Sequence, residues 1–218
     1  IMFFLKIPPH KKAAEKQSGG YFDDLKEGFK YVKQNEFIID LLVFYAIFFF
    51  LLVPVMFLTP LLVTRSFGSE VWKLTMNEIV FFVGSALGGI IVSIWGGFKN
   101  KAYTIFISCI VFGVLTVALG LSTLFWIYLA FMLVMGLVVP FFSTAVTVLL
   151  QEKVEQDMQG RVFGLIQMVT TAVMPLGMLL FGPMADVVTV EVLLIVTGAF
   201  VLILGVRIAF HKRLRSLG

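Results

Sequence analysis

Long apolar runs, separated by short clusters of glycine, charge and turn-forming residues, set the pattern of this chain. Runs of roughly 20 residues or more, nearly free of charge, occupy approximately 37–63, 74–97, 102–121, 124–150, 162–187 and 190–210. A helix rises ~1.5 Å per residue, so about 20 residues cross the ~30 Å hydrocarbon core of a bilayer. Six membrane-spanning helices are therefore predicted. A membrane barrel would instead show segments of about 10 residues alternating in polarity, whereas these runs are continuous. In lipid the backbone must pair its own N–H and C=O groups, which a helix does within one segment.

The segment 21–36 has a different pattern. Phe22, Leu25, Phe29 and Val32 recur at helical spacing, and Asp23, Asp24, Lys26, Glu27, Lys30 and Lys33 fill the intervening positions. This predicts an amphipathic helix, placed either on the cytoplasmic membrane surface or against the cytoplasmic ends of the spans. Ser18, Gly19 and Gly20 precede it and, with Lys11, Lys12 and Lys16, read as a flexible connector. Ile1 to Leu5 reads as the closing turn of an earlier apolar helix, which makes the chain a fragment in this reading. The expected organisation is the end of a preceding transmembrane helix over 1–5 and a cytoplasmic connector over 6–36. A six-helix bundle over 37–210 and a cytoplasmic tail over 211–218 complete it.

Charge fixes the orientation. Six alternating spans put Lys6, Lys11, Lys12, Lys16, Lys26, Lys30, Lys33, Lys99, Lys101, Lys153, Arg161, Arg207, Lys212, Arg213 and Arg215 on one side, against Arg65 and Lys73 on the other. Fifteen against two is a strong positive-inside bias, so both ends of the chain are expected to be cytoplasmic. An odd number of spans would mix the two sets. The same distribution accounts for the net charge of +4 without a nucleic-acid partner, because the basic residues lie between apolar spans and not on a soluble face. Residues are 60% apolar and 14% charged, against about 25% charged in a soluble domain, which makes the bilayer the solvent and principal partner.

The same reading excludes several chemistries. Cys109 is the single cysteine and lies within an apolar run, so a disulfide or multi-cysteine metal site within the chain is excluded. His10 and His211 lie outside the spans, which removes an intramembrane histidine relay or metal cluster. No phosphate-binding loop of the G-x-x-x-x-G-K-[ST] type occurs. No cofactor, metal or enzymatic activity is expected, and work across the membrane would draw on an ion gradient.

Ionisable groups inside hydrocarbon cost about 2.5 to 3.5 kcal/mol each on insertion scales and so point to function. Glu78, with Asn77 beside it, lies near the start of the second run. Glu78 is read either as a proton carrier or cation contact facing a cavity, or as a carboxylate at the headgroup level. Ser85 and Gly89 share its helical face, and Gly84 and Gly88 mark an adjacent face suited to close helix approach. In the fourth run Met132, Gly136, Val139, Ser143 and Thr147 form a stripe with Thr144 beside it. In the fifth, Gln167, Thr171, Met174 and Met178 do the same, flanked by Thr170. Such small, polar and polarizable groups suit the wall of a cavity for an amphipathic solute, although Ser and Thr in membrane helices also bond to their own backbone. Pro54, Pro60, Pro140 and Pro175 each remove a backbone donor and are expected to kink their helices.

The sequence Gly88-Gly89-Ile90-Ile91-Val92-Ser93-Ile94-Trp95-Gly96-Gly97-Phe98-Lys99-Asn100-Lys101 resembles the degenerate copy of the major facilitator loop signature, a glycine-rich helix end entering a short basic turn. It lacks the signature's usual acidic residue, so the charge relay made there in the N-terminal half does not carry over. Gly96, Gly97, Lys99 and Lys101 are the matching positions. Gln151-Glu152-Lys153-Val154, Gln159-Gly160-Arg161-Val162-Phe163-Gly164, Pro175-Leu176-Gly177 and Gly182-Pro183-Met184-Ala185-Asp186 resemble the loop and penultimate helix of bacterial macrolide-efflux-type drug exporters. That places Gly160 and Arg161 at the cytoplasmic mouth.

The resemblance implies the C-terminal half of a twelve-helix carrier of all-α integral membrane fold, working by alternating access with a six-helix N-terminal half. It further implies a bacterial cytoplasmic membrane, a small hydrophobic substrate, proton exchange, and a nested inverted repeat of three plus three spans. The first, second, fourth and fifth spans would face the cavity. Two other readings stay open at this point: a metabolite or nutrient symporter on the same fold, and a non-transporting membrane scaffold or receptor. The few buried polar groups, chiefly Asn77, Glu78 and Gln167, favour a lipophilic substrate over a polar nutrient.

Overall fold

Each apolar run is helical, and the breaks between runs fall where the chain carries glycine, asparagine, serine or charge, except the last, which falls at Val188 and Thr189. The computed structural model describes residues 21–210, with side chains over 27–207; the segments 1–5, 6–20 and 211–218 lie outside the described residues. The elements are α1 (Tyr21–Gln34), α2 (Glu36–Phe57), α3 (Thr59–Leu62) with a π-helical turn (Val63–Phe67), α4 (Val71–Trp95), α5 (Lys101–Leu121), α6 (Phe125–Lys153), α7 (Gln156–Val187) and α8 (Val190–Phe210). Among the described residues six segments are long and apolar enough to cross a membrane: Glu36–Phe67, Val71–Trp95, Lys101–Leu121, Phe125–Lys153, Gln156–Val187 and Val190–Arg207. These are the six predicted spans.

Two spans differ in detail from the sequence pattern. The first is broken: α2 stops at Phe57, where the Leu58 N–H still reaches the Pro54 carbonyl at 2.8 Å, and α3 restarts with Pro60 in its first turn. Pro54 and Pro60 lack the N–H groups that would continue the ladder across this point, so the break is local to them. Pro140 and Pro175, by contrast, sit inside continuous helices. The fifth span begins at Gln156 and not near 162, because its polar first turn is helical without being apolar.

The main helix pairs are α5 with α8, α4 with α6, α5 with α6, α2 with α7 and α2 with α8. Exchanging α2 with α6, α4 with α7 and α5 with α8 maps this set onto itself. The packing therefore carries the three-plus-three symmetry that is invisible as sequence identity. At the centre, Phe48 of α2 stacks on Phe142 of α6 with centroids 4.7 Å apart and meets Phe112 of α5 edge-on at 5.7 Å. Aromatic pairs of this kind add about 0.5–1.5 kcal/mol each beyond their burial.

Small residues set the closest approaches, as expected where lipid supplies no hydrophobic drive between helices. A β-carbon on Gly84 or Gly88 of α4 would meet backbone carbonyls of α6, and one on Gly136 of α6 would meet α4 in return. On α5 and α8, Gly113 and Gly120 play the same part against Leu202 and Glu191. The buried residues of α4, Asn77, Gly84, Gly88 and Val92, form one narrow stripe against α6, and the rest of that helix is largely uncovered.

The two ends of the bundle are chemically distinct. At the basic end, Gly96 and Gly97 both adopt φ 74°, and Gly96 N–H closes α4 on the Val92 carbonyl at 2.8 Å. The left-handed backbone there suits glycine. The α1 helix packs at this end against α7, burying Gly28 and Val32 beside Arg161 and Leu165, while Phe29 is 62% exposed. The docked face is therefore centred on Gly28 and Val32 and excludes Phe29.

Candidate functional site

Among the described residues, one side-chain polar cluster crosses between helices inside the apolar bundle. Asn77 of α4 is 1% exposed and Tyr128 of α6 is fully buried. The Tyr128 hydroxyl donates to Asn77 Oδ1 at 2.7 Å, and Asn77 Nδ2 donates to Glu78 Oε1 at 3.1 Å. Thr59, at the head of α3 and also buried, has its hydroxyl within hydrogen-bonding reach of Tyr128. Glu78 itself is exposed on the side of α4 that the bundle leaves uncovered, and Ser85 and Gly89 lie half-buried farther along that helix. Tyr128 packs between Phe67 and Phe125, with centroids 5.3 and 6.3 Å away, so its ring is held while its hydroxyl serves the polar group.

Aromatic side chains give the depth of this cluster. Trp72 and Trp126, with centroids 6.5 Å apart, stand at the heads of α4 and α6, with Lys73 Nζ 5.6 Å over the Trp72 ring. Trp95, with Phe98 at 4.7 Å, marks the other end of α4. Tryptophans concentrate at the two membrane–water interfaces. Trp72 and Trp95 are separated along the helix by about 35 Å, slightly more than the ~30 Å hydrocarbon core of a bilayer, and Glu78 lies about 9 Å along the helix from Trp72.

The stripe residues are placed differently from one another. Ser143 and Thr147 are exposed, and their hydroxyls donate to the Pro140 and Ser143 carbonyls at 3.3 and 2.8 Å. Thr144 is half-buried; Gln167 and Thr171 are exposed, and Met174 is half-buried. Thr170 is buried and donates to the Ile166 carbonyl at 2.6 Å. The α6 and α7 stripes are not brought together, because α6 packs mainly on α4 and α5 while α7 packs on α2 and α1.

The loop positions make a scaffold at the basic end. Lys101 Nζ donates to the Gly96 and Phe98 carbonyls at 2.9 and 3.2 Å, tying the α4–α5 turn, and Lys99 is exposed. Arg161 pairs with Glu27 of α1 at 3.0 Å, and neighbouring Gly160 has open space where a β-carbon would stand. At the opposite end Arg65 donates to the Ala185 carbonyl at 2.6 Å and lies 3.6 Å from Asp186, joining the π-helical turn to the end of α7. Among the described residues no group of histidine, cysteine, aspartate and glutamate is arranged to hold a metal ion.

Tyr128, Thr59 and Arg65 were not singled out by the sequence pattern. The one sequence signal available for Tyr128 is that it is the lone tyrosine of a Phe- and Leu-rich span, and this does not name Asn77 as its partner.

A six-span bundle with internal three-plus-three packing and short basic turns defines a polytopic membrane protein. The description "Major Facilitator Superfamily" matches residues 1–178, and the chain belongs to that superfamily. It is similar to macrolide efflux protein A of Streptococcus pyogenes, 26% identical over 98% of this chain and 53% of that protein. The like-named protein of Enterococcus faecalis is 27% identical over 81% of this chain and 55% of that protein. The multidrug efflux pump Tap of Mycolicibacterium fortuitum is 25% identical over 62% of this chain and 33% of that protein. The chain thus spans about half the length of the macrolide efflux proteins it matches. No solved structure matches it.

Proposed function

We propose that this chain forms one six-helix half of a bacterial exporter that moves small hydrophobic, macrolide-like compounds out of the cell by alternating access, in exchange for protons. The observation that carries this reading is Glu78. It is a carboxylate on an otherwise apolar helix, about 9 Å along the helix from Trp72, on a face the bundle leaves uncovered. Its likeness to proteins named for macrolide and multidrug efflux supports a lipophilic substrate. A second six-helix half would cover the open faces of α4, α6 and α7 and enclose the path. Ser85, Ser143, Thr144, Thr147, Gln167, Thr171 and Met174 would line it, whereas Thr170 is buried within the bundle and bonded to the Ile166 carbonyl. The basic end, with Lys99, Lys101 and Arg161, would be cytoplasmic under the positive-inside rule.

The test is transport by the full-length protein in inside-out vesicles with an imposed pH gradient. Gradient-dependent uptake of a radiolabelled macrolide or a lipophilic dye, collapsed by a protonophore, is the expected result. Uptake indifferent to the gradient would remove the proton exchange. Accumulation only in right-side-out vesicles would make the protein an importer, and no movement of any compound in a broad panel would make it a scaffold.

A further inference from the structure

We infer that Asn77 and Tyr128 are positioning residues for Glu78, forming an oriented hydrogen-bond relay whose polarity reverses when Glu78 takes a proton. This rests on the proposed role of Glu78 as the proton-exchanging group. The carboxylate is an acceptor only, so the Asn77 amide must turn its Nδ2 toward Glu78 and its Oδ1 toward Tyr128. The Tyr128 hydroxyl is thereby fixed as a donor to Asn77. Once protonated, Glu78 becomes a donor. The amide can then flip, accept from Glu78 through Oδ1 and donate through Nδ2 to Tyr128, leaving the hydroxyl proton free to turn toward Thr59. Thr59 heads α3, immediately beyond the break that ends α2. A proton arriving on α4 is thus reported to the broken span through two buried side chains.

The arrangement has the features a relay needs. Asn77 and Tyr128 are both sealed from solvent, and among the described residues no buried side-chain nitrogen or oxygen lacks a partner. Each orientation must therefore satisfy all members together. The elements packed on α4 are α6 and the π-helical turn. From α6 the titratable group at Glu78 is Tyr128. The nearby cations are engaged elsewhere: Lys73 with Glu70 at 2.8 Å, and Arg65 with Asp186 and the Ala185 carbonyl.

The sign of the effect follows. Removing the Tyr128 hydroxyl leaves Asn77 Oδ1 without its donor while Glu78 is ionised, and protonated Glu78 supplies one, so the protonated form gains. Removing the Asn77 amide deletes the donor to the carboxylate, with the same sign. The experiment is an infrared pH titration of the full-length protein in liposomes, reading the protonated-carboxyl band that disappears in Glu78→Gln. Tyr128→Phe is expected to raise the midpoint by about half a unit to one unit. Asn77→Ala is expected to raise it at least as far, and the double variant no further than Asn77→Ala, because Tyr128 acts through Asn77. Should Tyr128→Phe fail to assemble, Asn77→Ala alone carries the test. An unshifted midpoint, additive shifts, or no titrating band assignable to Glu78 overturns the relay. Shifted titration in a protein that transports nothing would leave the relay standing and remove the export reading.

Discussion

A β-carbon built on Gly84 of α4 would stand 2.1 Å from the Leu133 carbonyl oxygen of α6. Gly88 repeats the relationship with the Leu137 carbonyl at 2.2 Å, and Gly136 returns it against the Phe81 carbonyl at 2.1 Å. Three glycines on two parallel helices thus bring backbone against backbone, with no flexible side chain able to give way.

Gly84→Ala and Gly136→Ala are therefore expected to push α4 and α6 apart, at a cost of about 1–3 kcal/mol from overpacking. Gly89→Ala is the control, since nothing lies within 4 Å of its added methyl and alanine favours the helix by up to about 1 kcal/mol. Thermal unfolding of the purified full-length protein should show lower midpoints for the first two and an unchanged or higher one for Gly89→Ala. Equal midpoints for Gly84→Ala and Gly89→Ala would count against the close approach.

This interface was legible in the sequence because its signal is local: Gly84 and Gly88 recur one helical turn apart. The six spans were legible for the same reason, since the solvent acts on each helix separately. What could not be read were pairings across long sequence separations. Tyr128 meets Asn77 across 51 positions, and Arg65 meets Ala185 across 120. Neither partner's neighbours in sequence announce the other. The stop of α2 at Phe57 was partly legible: Pro54 and Pro60 mark the place, but Pro140 and Pro175 carry the same local signal inside unbroken helices. Surrounding packing decides which proline interrupts its helix.

Arg65 offers a test of the end opposite the basic turns. It donates to the Ala185 carbonyl at the end of α7 and also approaches Asp186, whose side chain is 78% exposed. An exposed ion pair contributes about 0–1 kcal/mol, so Asp186→Asn should barely move the unfolding midpoint. Arg65→Ala removes the carbonyl's donor as well and should lower the midpoint further. Equal midpoints for Arg65→Ala and Asp186→Asn would count against the tie between the π-helical turn and α7.

The head of α4 carries a pH-dependent contribution. Lys73 donates a hydrogen bond to Glu70 and holds its carboxyl below the ordinary value of 4.5. A depressed carboxylate contributes stability that is present above the unfolded value and is lost as pH falls through the folded one. The difference in unfolding midpoint between the wild type and Glu70→Gln should thus be constant over about pH 6 to 8 and shrink only below the ordinary carboxylate range. Glu70 is exposed, so the difference should be small and weakened by salt. A difference that grows on acidification has the wrong sign.

Glu78→Gln separates three possible roles of the carboxylate beside the buried Asn77–Tyr128 pair. The substitution keeps the shape of the side chain and its acceptor oxygen, so Asn77 can still donate to it and the contact with Tyr128 can persist. What it removes is the ability to carry a proton. If Glu78 titrates during the cycle, accumulation driven by the pH gradient should fall to that of vesicles without the protein. Exchange of labelled for unlabelled substrate across the membrane needs no net proton movement and should continue. A headgroup-level carboxylate would leave both activities intact. A purely structural carboxylate would lose both together, with a lowered unfolding midpoint. Gradient-driven accumulation at the wild-type rate in Glu78→Gln would therefore place proton exchange in residues other than Glu78, and the relay through Asn77 and Tyr128 would lose its function even with its geometry intact.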